Sequence, residues 1–145
     1  MAITSTLCTS FKQELLQGVH NFNKASSPDT FKLALYSSTA SLDASTTAFT
    51  TNGEVTGTNY TSGGATLTLK TGTPTTDGTT AVVDFDPLTF SNVTLTAAGA
   101  LIYNSSDSNK AVCVISFGKD VSASASNFTI TFPSTGASNS IIRLA

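Results

Sequence analysis

Residues 98–118 read AGALIYNSSDSNKAVCVISFG: two apolar runs, 101–103 and 111–117, joined by small polar residues. The link has the make-up of a hairpin turn, and the runs that of its two strands. Along Ala111-Val112-Cys113-Val114-Ile115 both alternating faces are apolar, so both sides of that strand must leave water. Either other parts of the chain cover the two faces, or a second copy of the protein covers one of them.

The rest of the chain agrees with a β protein. Ser and Thr supply nearly a third of the 145 residues, there are nine Phe, three Tyr and no Trp, and only 11% of residues are charged. Thr and Phe suit a pleated, half-buried surface, and the scarcity of Glu and Lys argues against a helical protein. Strand patterns fall at 31–36, 65–70, 81–85, 88–95, 98–103, 111–117, 127–132 and 140–144, with the clearest alternation in Asn127-Phe128-Thr129-Ile130-Thr131-Phe132. About eight short strands between turn signals predict an all-β antiparallel sandwich or jelly roll. No repeat or second domain is visible. The expected organisation is one domain over 1–145, with an N-terminal arm and helix in 1–25 and the sandwich in 30–145.

One short helix is predicted near the start. Ser10 is placed to cap it, with Gln13 as the return half of a capping box, and Phe11, Leu15 and Val19 recur on one stripe. Pro28-Asp29 ends the region as a turn. The polar link 37–64 contains Asn52-Gly53 and Gly63-Gly64 and is longer than most loops of compact domains, which predicts a structured excursion or a binding loop.

Chemistry is sparse. The net charge is -2, and the seven basic residues are scattered, so no stripe exists to neutralise nucleic-acid phosphates. No apolar run has the length of a membrane span, and the N-terminus lacks the basic start and apolar core of a secretory signal. Cys113 in the doubly apolar strand is expected to be a buried free thiol, with a Cys8–Cys113 disulfide as the alternative. His20, the only histidine, is expected to be a polar residue at the helix terminus, and no nucleophile motif accompanies it. Asp84 and Asp86, two apart, suit a shared calcium ion or an acid–base pair; the expectation is a solvated strand face and a cap before Pro87. The sequons at Asn59, Asn92, Asn104 and Asn127 are expected to be silent. No catalytic residue, cofactor or metal ligand is assigned.

Several runs taken together resemble a group of small tailed-bacteriophage proteins, mostly described as uncharacterised or virion structural proteins. They are Phe31-Lys32-Leu33-Ala34-Leu35-Tyr36, Gly53-Glu54-Val55-Thr56-Gly57, Tyr60-Thr61-Ser62-Gly63-Gly64, Gly99-Ala100-Leu101-Ile102-Tyr103-Asn104, residues 111–118, residues 128–133 and residues 137–143, in matching order. The resemblance implies a β-rich, non-enzymatic virion component, most simply a capsid cement (decoration) protein. It would be made in the host cytoplasm without a signal peptide, and would bind the major capsid protein at the capsid surface as a homotrimer. The expected contacts are Ile102, Val112 and Val114 on the excess apolar faces, Phe11 and Leu15 on the helix, and Tyr60 in the excursion. Neither nucleic acid nor membrane is an expected partner. One alternative is a tail or fibre module that binds a host glycan in a groove lined by Tyr60 and Tyr36. Another is a hydrolase resting on Asp84 and Asp86.

Overall fold

The computed structural model describes residues 2–145. The chain runs β1 (Thr6–Leu7), α1 (Thr9–Leu16), β2 (Phe31–Tyr36), β3 (Ala65–Thr66), β4 (Thr75–Asp77), β5 (Thr80–Val83), β6 (Leu88–Asn104), β7 (Lys110–Ile130) and β8 (Ile142–Leu144). The strands form two antiparallel sheets: five strands in the order β1-β7-β6-β2-β3, and three in the order β4-β5-β8. Val83 and Ile142 of the small sheet share one apolar core with β2, β6 and β7. The all-β sandwich with a single short helix is thus the observed architecture.

The hairpin of residues 98–118 is the centre of the large sheet, and the chain covers both of its faces. Leu101 pairs with Val114 and Ala34, so the three side chains share a face, and Tyr103 continues it. The excursion lies over this side. Phe49 stacks on Tyr103 at 4.8 Å, the Tyr103 hydroxyl donates to the Gly63 carbonyl (2.6 Å), and the Tyr36 hydroxyl donates to that of Thr50 (2.6 Å). Ile102, Cys113 and Leu33 point the other way, with Phe31 and Asn104 further along. That side meets the N-terminal segment and the small sheet: Phe31 stacks on Phe22 (4.3 Å), Phe22 meets Phe11 edge-on (6.1 Å), and Phe31 leans on Phe85 (6.2 Å). Each wholly buried Leu, Ile or Val here contributes about 1.5–3 kcal/mol by leaving water.

Two pairs of sequence-predicted strands fuse. Residues 88–95 and 98–103 lie in the single strand β6, and 111–117 and most of 127–132 in β7. The joints are bulges. Ala97 pairs with Val121 and Gly99 with Ser116, which leaves residues 117–120 outside the ladder; Asn92 (φ 52°) and Ala125 (φ 45°) mark two smaller irregularities. Beyond them the hairpin is a two-stranded ribbon. Phe90, Val93, Leu95 and Phe128 line its inner face, while paired hydroxyls face out at Thr89–Thr129 (3.0 Å) and Thr96–Ser122 (2.7 Å). The stretch 65–70 is strand only at Ala65–Thr66, with one further bridge, Leu69 to Phe85.

The helix does not start as expected. Cys8, not Ser10, holds the capping position, and no side chain caps it. The N–H groups of Cys8 and Thr9 donate to the Val112 and Ala44 carbonyls, which fix where the helix enters. Ser10 sits in the first turn and its buried hydroxyl has no partner. The helix ends at Gly18 (φ 75°), where the N–H of Val19 reaches the Glu14 carbonyl and that of Gly18 reaches Leu15, a Schellman cap.

Candidate functional site

Of the six residues expected at an interface, four lie inside the chain's own core. Phe11, Ile102 and Val112 are fully buried and Val114 nearly so. Their apolar surface is used by the excursion on one side and the helix on the other, so the doubly apolar strand is not a docking surface. Leu15 is half-buried and lines a small apolar cleft of about 190 Å³ with Phe22, Val82, Val83, Ile142 and Leu144. The exposed large apolar side chains among the described residues are Leu144, which lines this cleft, and Leu16, at 92% exposure.

Tyr60, the sixth, is held by the structure. Its ring leans on Phe90 (5.5 Å), and its hydroxyl accepts from the Leu35 N–H (2.9 Å) and donates to Glu54 Oε1 (2.9 Å). Tyr36 is fully buried. Tyr36 therefore lines no exposed groove, while half-buried Tyr60 lines a surface pocket of about 300 Å³ with Glu54 and Ser62. Glu54 ties the excursion together: Oε1 also accepts from the Gly63 N–H (2.6 Å), and Oε2 from the Ser62 hydroxyl (2.7 Å). Replacing it with Ala strands a backbone donor and a phenol, so Glu54→Ala is expected to cost about 2–3 kcal/mol, read as a lower urea midpoint. Faster amide exchange across residues 54–64 is expected to accompany it.

The carboxylate pair is not a solvated face. Asp84 follows directly after β5 and is fully buried, whereas Asp86 is half-buried. Asp84 Oδ1 lies 3.5 Å from the Ile141 N–H, and Oδ2 has no partner. The fold needs Phe85 in the core, facing Phe31 and Phe132, and this draws Asp84 under the C-terminal segment. Among the described residues no three His, Cys, Asp or Glu side chains are grouped to hold a metal. Cys8 and Cys113 are both free and buried. Burial, helped by Asp43 and Glu14, pushes the Cys8 thiol up to about 11, and burial with Cys8 nearby pushes Cys113 higher. No helix among the described residues is long and apolar enough to cross a membrane.

His20 lies beyond the helix end with its side chain wholly buried, where a polar residue at a helix terminus was expected. Nε2 is 3.0 Å from Glu14 Oε1, and Nδ1 is 3.0 Å from Asn104 Nδ2. Asn104 Nδ2 also donates to Asp29 Oδ2 (2.8 Å), and that same oxygen accepts from the Asn21 N–H (2.9 Å). The Phe11 and Phe31 rings flank the imidazole at 4.9 and 6.4 Å. Four side chains from the helix, the following loop and the end of β6 thus form one buried polar chain. No local motif announces it: Asn104 reads as a sequon and Asp29 as a turn residue.

No protein-family model matches the chain, and neither a curated protein nor a solved structure does.

Proposed function

We propose that this chain is a non-enzymatic structural component of a tailed-phage particle, a capsid cement protein that binds the outside of the assembled shell. What supports this reading is the resemblance of the runs quoted above, which cover most of residues 31–143 in matching order, to small tailed-phage virion proteins. The fold is compatible with it. Its core is closed within one chain, its outer ribbon face carries paired hydroxyls, and the Lys or Arg ion pair among the described residues is Asp107–Lys110. Such a surface depends little on charges that salt would screen. The mechanism is linkage: each copy, as a homotrimer on the shell, contacts adjacent major capsid subunits, binds the closed shell in preference to free subunits, and so lowers its free energy. Because Ile102, Val112 and Val114 are internal, the trimer contacts must come from other residues. The test is co-sedimentation with shells that lack the protein. Saturable binding together with a higher shell melting temperature is expected; no binding at micromolar concentration would remove the cement reading.

A further inference from the structure

We propose that the chain Glu14–His20–Asn104–Asp29 is an acid-sensitive latch, which ties the N-terminal segment to the turn of the central hairpin and opens when His20 gains a proton. The inference is independent of the role proposed above. It rests on which atoms can donate. The Ser106 N–H can only donate, so the Asn104 atom 3.0 Å from it is the amide oxygen. The Asp29 carboxylate accepts, so the Asn104 atom facing it is the amide nitrogen. Held from both sides, the amide turns its second N–H to His20 Nδ1, which must present a lone pair. The single ring hydrogen is then on Nε2 and points at Glu14.

A proton taken from solvent onto Nδ1 sets donor against donor. Turning the Asn104 amide over would restore that contact, but would place its oxygen against the Asp29 carboxylate and its N–H groups against the Ser106 N–H. One bond is regained and two are lost. The imidazolium therefore keeps Glu14 and releases Asn104. The charged groups bonded to this chain are Glu14 on α1 and Asp29 in the loop before β2; the flanking Phe11 and Phe31 rings carry no charge. Since the His20 side chain is wholly buried, water replaces the lost bonds only if residues 20–29 lift from the turn after β6.

The experiment is nitrogen-15 NMR of the whole chain from about pH 7.5 to about pH 4.5, across the range where imidazole ordinarily titrates. With one histidine the ring signals need no assignment. The expected result is an Nε2–H tautomer at the upper pH. As the ring becomes imidazolium, exchange at the Asn104 side-chain amide and at the Asn21 backbone amide should accelerate about tenfold beyond that of the Leu101 and Val112 amides. Asn104→Ala should abolish this excess at Asn21; if that variant does not fold, the wild-type titration decides alone. The proposal is overturned if the ring titrates while Asn104 and Asn21 show no excess over Leu101 and Val112. It is equally overturned if the ring keeps one charge state throughout, or if Leu101 and Val112 accelerate to the same degree.

Discussion

Gly64→Ala is expected to destabilise the protein by more than about 4 kcal/mol, read as a much lower urea midpoint. Gly64 has φ 75°, a conformation that costs a residue with a Cβ about 1–3 kcal/mol on its own. The larger cost is contact. A Cβ at this position would lie 1.8 Å from the Leu33 carbonyl oxygen and 2.8 Å from the Ala34 Cα, both backbone atoms of β2. β2 cannot yield, because it is paired with β6 along its whole length and with β3 on its other edge. The excursion must yield instead, and with it the Gly63 carbonyl that accepts from Tyr103 and the Gly63 N–H that donates to Glu54. A loss above about 4 kcal/mol is a large part of the 5–15 kcal/mol that holds a typical domain together. Gly18→Ala provides the comparison, because Gly18 has the same φ of 75° but nothing within 4 Å of its Cβ position. It should cost only about 1 kcal/mol. Urea midpoints of the two variants separate the close approach from the backbone strain; equal losses would mean that the excursion does not lie on β2 as described.

Alkali is expected to unfold the protein in one step between about pH 10 and about pH 12. Burial is the main cause that raises Cys8, Cys113, Tyr36, Tyr60 and Tyr103, and the Glu54 carboxylate adds to it at the three tyrosines. All five pKa values lie above the ordinary values of 9.0 for the thiols and 10.0 for the phenols. The folded chain therefore keeps protons that the unfolded chain releases. The stability is fully present below pH 9 and falls as pH climbs past the ordinary thiol and phenol values and through the Cys8 value of about 11. Each group that the fold still keeps protonated costs about 1.4 kcal/mol per pH unit above its ordinary pKa. Cys113 and Tyr36, both deeply buried, together give a slope near 3 kcal/mol per unit above about pH 10. Tyrosinate absorbance and circular dichroism should change together. Tyrosinate forming at Tyr36 and Tyr60 while the dichroism is still native would contradict their placement.

The strands that pack on the core were legible because their alternation is made of large side chains, as in Phe128-Thr129-Ile130. Residues 119–126 were not, since Val121-Ser122-Ala123-Ser124 alternates only small residues, and the ladder with 95–97 is what makes it strand. The division of β6 at 96–97 has the same origin: Ala97 and Gly99 are too small to carry a pattern across a bulge. The long link 37–64 was legible as a structured excursion from its length and paired glycines, but not as the cover of the hairpin, because Phe49 and Glu54 act through partners far from them in sequence. The same holds for the polar chain at His20, whose members at 14, 20, 29 and 104 meet only when α1 packs on β7. Asp84 was misplaced for a different reason. A period-two reading gives Asp84 and Asp86 one environment, whereas the C-terminal segment at Ile141 lies over Asp84, which is fully buried, and Asp86 stays half-buried.

The claim on which most else depends is that a single chain covers both faces of the strand at 111–115. Amide hydrogen exchange of residues 99–104 and 111–115, followed over a hundredfold dilution with the molar mass measured alongside, tests it directly. The expected result is that these are the slowest amides in the chain and that their rates do not change on dilution, even where the mass falls to that of one chain. Protection that fades as copies separate would mean that a second molecule supplies one of the two covers.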